Sequence, residues 1–317
     1  MNPLTAYQDG IYAVDAHYLR PCLAAVHLIK ENGRVALVDT GTNDSLPRVL
    51  SALDELGVSI KQVDYILLTH IHLDHAGGAG LMMRRFPNAR LVVHPRGVRH
   101  MIDPSRLIEG ATAVYGAEEM GRLYGDVLPI DAARIVEATH DLRLDLAGRQ
   151  LHILDTPGHA RHHVCFRDTL TGHIFTGDAF GLSYPECDVS GRQFVYPATT
   201  PVQFDPDEMH ASINLLTSFN PAAVYLTHFG QVRDVPGTAR ELHRLIDAYV
   251  DIARQHKDAG KARHELIRNG LAGLMVREMA AIGSPLSPEI IVELLNHDIE
   301  INAQGLEVWL DSEGRPR

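Results

Sequence analysis

The sequence predicts a layered α/β fold that ends in a helical extension. Apolar runs of strand length alternate with amphipathic helical segments over roughly the first 230 residues. Two of the buried runs end in nearly the same letters, LLTH at His70 and YLTH at His228, which indicates a duplicated sheet-and-helix unit packed face to face. After Val235 the pattern changes to long helices alone.

The first half of the chain is predicted to form strands, with a helix that interrupts them in sequence and covers their sheet. GIYAV, AAVHLIK and VALVDTG are short β-rich runs separated by turn signals, so they predict a strand meander. SLPRVLSALDELG carries leucine and valine at helical spacing and stops at Gly57. VDYILLTH and ARLVVHP are predicted buried strands, and HAGGAGLMMRRF between them is a predicted helix. Residues 104–129 are predicted as helix or loop without a regular period.

The second half returns to strands and then to helices. RIVEA, LRLDLAG, RQLHILDTPGH, HHVCFRD and HIFTGDAF predict strands, a helix is expected near residues 206–219, and PAAVYLTHFG predicts a last strand. We place a boundary near Pro236, with a domain at residues 1–235 and a helical cap at 236–317. Ser287 before Pro288 is a typical helix start, and that helix is predicted to end near Ile301, before a short strand and a loose tail.

Composition excludes several classes of protein. The net charge is -11, with 40 acidic against 29 basic residues and no basic block, which disfavours a nucleic-acid partner. The three cysteines are too few and too scattered for a disulfide framework. With neither a signal-peptide pattern nor a long apolar run, we expect a cytoplasmic protein that does not bind membranes. A homodimer is the base-rate expectation.

Seven potential metal ligands stand where predicted strands end. LLTHIHLDHAGG supplies His70, His72, Asp74 and His75, and later strand ends supply His159, Asp178 and His228. Strand ends share one edge of the sheet in layered α/β folds, so these side chains are expected to converge. Imidazole and carboxylate together suit zinc, iron or manganese. The sequence therefore predicts a site for two divalent cations.

The pattern T-H-x-H-x-D-H-x-G-G, with VDTG before it and TPGH, TGD and LTH after it, resembles the metallo-β-lactamase superfamily from Gly10 to about Gly230. The resemblance implies a four-layer αβ/βα sandwich that binds two metal ions, with zinc the first expectation and iron or manganese the others. It assigns His70, His72 and His159 to metal one, Asp74, His75 and His228 to metal two, and Asp178 to the bridge. Asp39 resembles a residue that supports a ligand from behind.

The resemblance also implies hydrolysis of a small-molecule substrate by a metal-activated hydroxide, with Asp74 as the catalytic proton carrier. The glyoxalase-II-like branch with a C-terminal helical cap is the nearest likeness, so the predicted bond is an ester, thioester or lactone. The glutathione-binding side chains of glyoxalase II are not matched after Pro236. Two alternatives stay open: a di-iron or mono-iron redox enzyme of the persulfide-dioxygenase type, and a regulatory signalling effector that retains the metals.

Other residues near the motifs are weighed between a role at the site and a structural role. Phe180 and Tyr184 follow Asp178 in one loop and are predicted either to contact the substrate or to pack the loop. His162 and His163 follow His159, but the proposed ligand set is already complete. We expect His163 to form a structural hydrogen bond in the core.

Overall fold

The computed structural model describes residues 4–199 and 202–313 and divides into two compact units. Unit 1 comprises Met1–Asp155, His162–Gly177 and Asn220–Arg233. Unit 2 comprises Thr156–Arg161, Asp178–Phe219 and Asp234–Arg317. The chain passes between the units several times, and the division at residues 235 and 236 into two consecutive domains stays a prediction.

The first sheet of unit 1 follows the order of the chain. Its strands within the described residues are β1 Leu4–Ala6, β2 Ile11–Asp15, β3 Ala25–Glu31, β4 Arg34–Val38, β5 Val63–Leu67, β6 Arg90–Val93 and β7 Ile135–Glu137. β1 to β4 are antiparallel, and β4 to β7 are parallel. The predicted meander is confirmed: Asn32 and Gly33 have positive φ angles of 44° and 75°, the geometry of a tight hairpin turn between β3 and β4.

Helices fill the connections between the parallel strands. They are α1 Leu46–Glu55, α2 Leu73–Ala76, α3 Ala79–Arg85, α4 Pro95–Ile102, α5 Ser105–Tyr115 and α6 Ala117–Tyr124. The predicted helix after β4 is confirmed as α1, and Gly57 just beyond it has a φ of 65°. The segment that lacked a regular period forms α5 and α6, because a glycine at each end of α6 breaks the helical pattern.

The second sheet of unit 1 consists, among the described residues, of β8 Arg143–Leu146, β9 Arg149–Asp155, β10 Val164–Asp168, β11 Ile174–Gly177, β12 Val224–Leu226 and β13 Gly230–Val232. β11 and β12 are parallel, and the other neighbours are antiparallel. Leu67 and Val92 of the first sheet share one buried cluster with Ile153, Phe166 and Phe175 of the second. The two sheets therefore bury a common core.

Unit 2 is built from helices and the loops before them. Its helices are α7 Pro206–Ser218, α8 Val235–Gln255, α9 Arg263–Ala281 and α10 Pro288–Ser312. Asp205, Asp234 and Ser287 cap α7, α8 and α10 by accepting a hydrogen bond from a backbone N–H in the first turn. No helix in the described ranges is both long enough and apolar enough to span a bilayer.

The predicted end of the last helix is wrong. α10 continues from Ile301 to Ser312, and no tail strand forms between these residues. Buried apolar residues continue at helical spacing beyond Ile301, at Ala303, Leu306 and Leu310, and they extend the packed face of the helix. The predicted loose tail includes residues 314–317, which lie outside the described residues.

Candidate metal centre

The histidine-rich motif forms an irregular turn between β5 and α2. β5 ends at Leu67, α2 begins at Leu73, and His70 and His72 lie between them. His70 and His75 are fully buried. The glycine pair after the motif lets two backbone segments meet, since a Cβ at Gly78 would lie 2.6 Å from the Thr42 carbonyl oxygen. Local backbone geometry therefore gathers four of the predicted ligands in unit 1.

Asp39 is the anchor of this turn. Its buried carboxylate accepts hydrogen bonds from the Thr69 backbone N–H at 2.8 Å and from the Thr69 hydroxyl at 2.9 Å. It also accepts from the Thr227 hydroxyl at 2.7 Å and from His75 Nδ1 at 2.8 Å. One carboxylate thus joins the ends of β4, β5 and β12, the strands that precede the ligands.

These hydrogen bonds decide which nitrogen of each imidazole carries the proton. His75 Nδ1 faces a carboxylate, and His228 Nδ1 faces the Leu23 carbonyl oxygen at 2.7 Å, so both nitrogens must donate. The Thr69 hydroxyl donates a hydrogen bond to Asp39 and accepts one from His70 Nδ1 at 3.1 Å. In the neutral form of all three rings, Nε2 is therefore the acceptor atom that a metal would use.

Asp74, His75 and His228 have the spacing of ligands to one cation. His75 Nε2 lies 3.2 Å from His228 Nε2, and Asp74 Oδ2 lies 3.6 Å from His75 Nε2 and 3.2 Å from His228 Nε2. Ligand atoms around a tetrahedral zinc with bonds near 2.05 Å are roughly 3.3 Å apart. These three residues therefore bring two unprotonated imidazole nitrogens and a carboxylate oxygen together. Atoms of these types bind a divalent cation.

A second pair of imidazoles lies beside this group. His70 Nε2 is 2.9 Å from His72 Nδ1, and the ring centroids of His70 and His75 are 4.0 Å apart. His163 is fully buried, and its ring stacks on that of His70 at 5.1 Å. His162, also buried, lies 5.6 Å from His72. Among the described residues, unit 1 therefore holds a cluster of six imidazoles, and four of them are predicted ligands: His70, His72, His75 and His228.

The remaining predicted ligands, His159 and Asp178, lie in unit 2. His159 Nε2 is 3.5 Å from Asp178 Oδ2, and both side chains are buried. His159 Nδ1 donates to the Ala198 carbonyl oxygen at 3.0 Å, which again leaves Nε2 as the acceptor atom. The convergence of all seven predicted ligands on one dinuclear centre stays a prediction.

The loop after Asp178 is bonded to residues of α10 that the sequence did not single out. Phe180 and Tyr184 are buried in unit 2, and the Tyr184 hydroxyl donates to Asp298 of α10 at 3.1 Å. The Tyr196 hydroxyl donates to the other oxygen of Asp298 at 3.0 Å. No motif marks Asp298 or its neighbour Asn302, and their helical spacing in α10 was the only available signal. Substrate contact by Phe180 and Tyr184 stays a prediction.

The sequence profile of the metallo-beta-lactamase superfamily matches residues 19–228, which include all the predicted ligands. The chain belongs to this superfamily. The match confirms the mixed α/β fold with two sheets that the motifs implied.

Individual relatives agree with this membership. ST1585, a metallo-beta-lactamase fold-containing protein of Sulfurisphaera tokodaii, is 27% identical over 228 residues, which are 70% of this chain and 79% of that protein. Its crystal structure superposes with a TM-score of 0.66 at 24% identity, over 95% of this chain and 99% of that one, and shows the fold. The uncharacterized protein YobT of Bacillus subtilis is 28% identical over 64% of this chain and 81% of its own length.

One relative has a name that states a reaction. A hydroxyacylglutathione hydrolase of Stenotrophomonas maltophilia is 32% identical over 152 residues. The matched region is 48% of this chain and 44% of that enzyme, so it covers less than half of either protein. The similarity places the glyoxalase-II-like hydrolases among the relatives of this superfamily member.

Proposed function

We propose that this protein is a metal-dependent hydrolase that cleaves an ester, thioester or lactone at a dinuclear metal centre. One observation carries the proposal: Asp74, His75 and His228 offer three ligand atoms that lie within 4.8 Å of one another. Membership of the superfamily and the partial similarity to a hydroxyacylglutathione hydrolase support hydrolysis over the redox and regulatory alternatives.

In the proposed centre, His70, His72 and His159 would hold one cation, and Asp74, His75 and His228 would hold the other. Asp178 would supply the carboxylate that they share. When bound, two such cations acidify a water molecule and polarise a carbonyl group. The imidazole-rich donor set suits zinc first, and iron or manganese fit the same donors.

The protein's own residues orient the ligands and move the proton. Asp39 accepts a hydrogen bond from His75 Nδ1, which would direct Nε2 to the cation and make the imidazole a better ligand. Asp74 differs from these buried groups, because its side chain is 24% exposed while those of Asp39 and His75 are 0% exposed. We assign to the Asp74 carboxylate the transfer of a proton to the leaving group, since it can meet both solvent and substrate.

The test is the metal content per chain, by elemental analysis of protein purified without added metal. The same sample is then assayed on a lactone, a thioester and a phosphodiester. We expect two divalent ions per chain and turnover of the lactone or the thioester. Protein that holds iron and hydrolyses none of the three would overturn the hydrolase proposal in favour of a redox role.

The variant Asp178→Ala tests the bridging carboxylate. We expect it to lose at least one metal ion per chain and to lower turnover by about 10³-fold or more, because a cation that activates water supplies several kcal/mol. Asp207→Ala removes an exposed carboxylate in the same unit and is the matched control. Equal turnover in the two variants would remove Asp178 from the centre.

A further inference from the structure

The ligand candidate His159 is oriented by a backbone carbonyl. Its Nδ1 donates to the Ala198 oxygen at 3.0 Å, and both residues are buried in unit 2. A backbone carbonyl cannot rotate by itself, so its direction depends on what holds the residues on either side. The residues around Ala198 therefore decide how His159 points.

Asn302 of α10 holds both neighbours of Ala198. Its Oδ1 accepts from the Thr199 backbone N–H at 2.6 Å, and its Nδ2 donates to the Pro197 carbonyl oxygen at 3.3 Å. The Thr199 hydroxyl adds a hydrogen bond to the Asn302 backbone oxygen at 3.1 Å. Asn302 is 3% exposed and Thr199 is 0% exposed. Water therefore does not compete for these bonds, and a buried amide that loses its partners is costly.

We infer that Asn302 is a positioning residue that fixes the Ala198 carbonyl and, through it, the ring orientation and tautomer of His159. The inference rests on the proposed function, in which His159 binds a metal ion through Nε2. A chain of hydrogen bonds then runs from the C-terminal helix to a metal ligand: the Asn302 amide, the backbone of residues 197–199 and the His159 imidazole. Outer partners of this kind set the affinity of a site although they never touch the metal.

The same face of α10 provides a contrast. Asp298 lies one helical turn before Asn302 and holds the hydroxyls of Tyr184 and Tyr196. Tyr196 precedes Pro197 directly, so its bond to Asp298 also ties this loop to this helix. That bond ends on a side chain and does not involve the backbone of residues 197–199. Tyr196→Phe therefore deletes a partly buried bond between the same two elements without releasing Ala198.

The experiment measures how strongly the full chain retains cobalt against increasing concentrations of a chelator, followed by visible absorption. The wild type is compared with Asn302→Ala, Asn302→Asp and Tyr196→Phe. We expect Asn302→Ala to weaken one metal site by about 10- to 100-fold, as loss of an outer partner does. Asn302→Asp should weaken it as well, because the carboxylate still accepts from Thr199 but its second oxygen repels the Pro197 carbonyl oxygen instead of donating to it. Tyr196→Phe should stay within about twofold of the wild type.

A second measurement reports the histidine itself. In ¹⁵N-labelled protein, the chemical shifts of the His159 ring nitrogens distinguish a proton on Nδ1 from a proton on Nε2. We expect the Nδ1–H form in the wild type and in Tyr196→Phe, and a mixture of forms in Asn302→Ala.

The outcomes separate the inference from the proposed function. Wild-type affinity and tautomer in both Asn302 variants would overturn the inference and leave the hydrolase intact. Equal weakening by Tyr196→Phe would also overturn it, because the loss would then reflect general loop packing. If Asn302→Ala does not fold, the cobalt affinity and the His159 tautomer of Asn302→Asp test the inference. A wild-type chain that binds no cobalt would overturn the proposed function and the inference together.

Discussion

The two units orient their candidate ligands by different means. In unit 1 a buried carboxylate, Asp39, accepts directly from His75 and gathers the strand ends around it. In unit 2 a neutral carbonyl, that of Ala198, accepts from His159 and is itself held by Asn302. A charged acceptor binds its donors about twice as strongly as a neutral one. The comparison teaches that the orientation of His75 depends on one charge, whereas that of His159 depends on the position of a helix.

The largest expected effect on stability follows from removing the buried Asp39 carboxylate. Asp39→Ala leaves the Thr69 N–H, the Thr227 hydroxyl and His75 Nδ1 without their buried acceptor. We expect the free energy of unfolding to fall by about 3 to 5 kcal/mol, with loss of the metal bound by His75. Urea denaturation measures the free energy of unfolding, and the metal content per chain measures the loss of metal.

The control for this variant is another Asp and His pair in unit 1. Asp141 bonds to His152 Nε2 at 2.8 Å, but its side chain is 72% exposed, so Asp141→Ala should lower the free energy of unfolding far less than Asp39→Ala does. If the two variants lose equal stability, burial of the charge is not what distinguishes Asp39.

An intermediate effect concerns the pH dependence of unit 1. His27 lies on β3, its ring contacts Phe175 and Tyr225 in the shared core, and burial lowers its pKa to about 4 from 6.5. The unfolded chain takes up a proton below pH 6.5 while the folded chain does not. Stability should therefore be intact above pH 6.5 and fall as the pH drops towards 4.

The variant His27→Phe isolates this contribution. Between pH 7.5 and pH 5, the wild type should lose about 2 kcal/mol more of its unfolding free energy than the variant does. Denaturation curves at the two pH values measure the difference, and any shared effect of metal loss cancels. Parallel losses in the two proteins would show that His27 does not carry the pH dependence.

The smallest expected effect tests the role of α10 in unit 2. Ser287 caps α10 through a hydrogen bond to the Ile290 N–H, so Ser287→Ala should lower the unfolding free energy by about 1 kcal/mol. Ser287→Thr keeps the capping hydroxyl and should cost less. Cobalt retention should stay unchanged in both, because Asn302 lies far along the helix. A loss of cobalt in Ser287→Ala would attribute the positioning to the whole helix instead of to Asn302.

Much of the fold and part of the candidate site could be predicted from local sequence patterns. The strand meander with its Asn32 and Gly33 turn, the helix α1 and the ligand-rich turn at His70 all depend on residues close together in the sequence. The end of α10 could not be placed. The helical face beyond Ile301 mixes apolar residues with the buried Asn302, and a polar residue at such a position looks like surface until its partners are known.

By itself, the sequence determined the superfamily and the succession of strands and helices, and it predicted the candidate ligands, because motif spacing and hydrophobic period are properties of adjacent residues. Only the tertiary structure decided that Asp39 accepts from Thr69, His75 and Thr227, and that Asn302 holds the backbone on both sides of Ala198. These bonds join residues that are 30 to 188 positions apart. Their strength comes from burial, and burial exists only after the distant segments have packed.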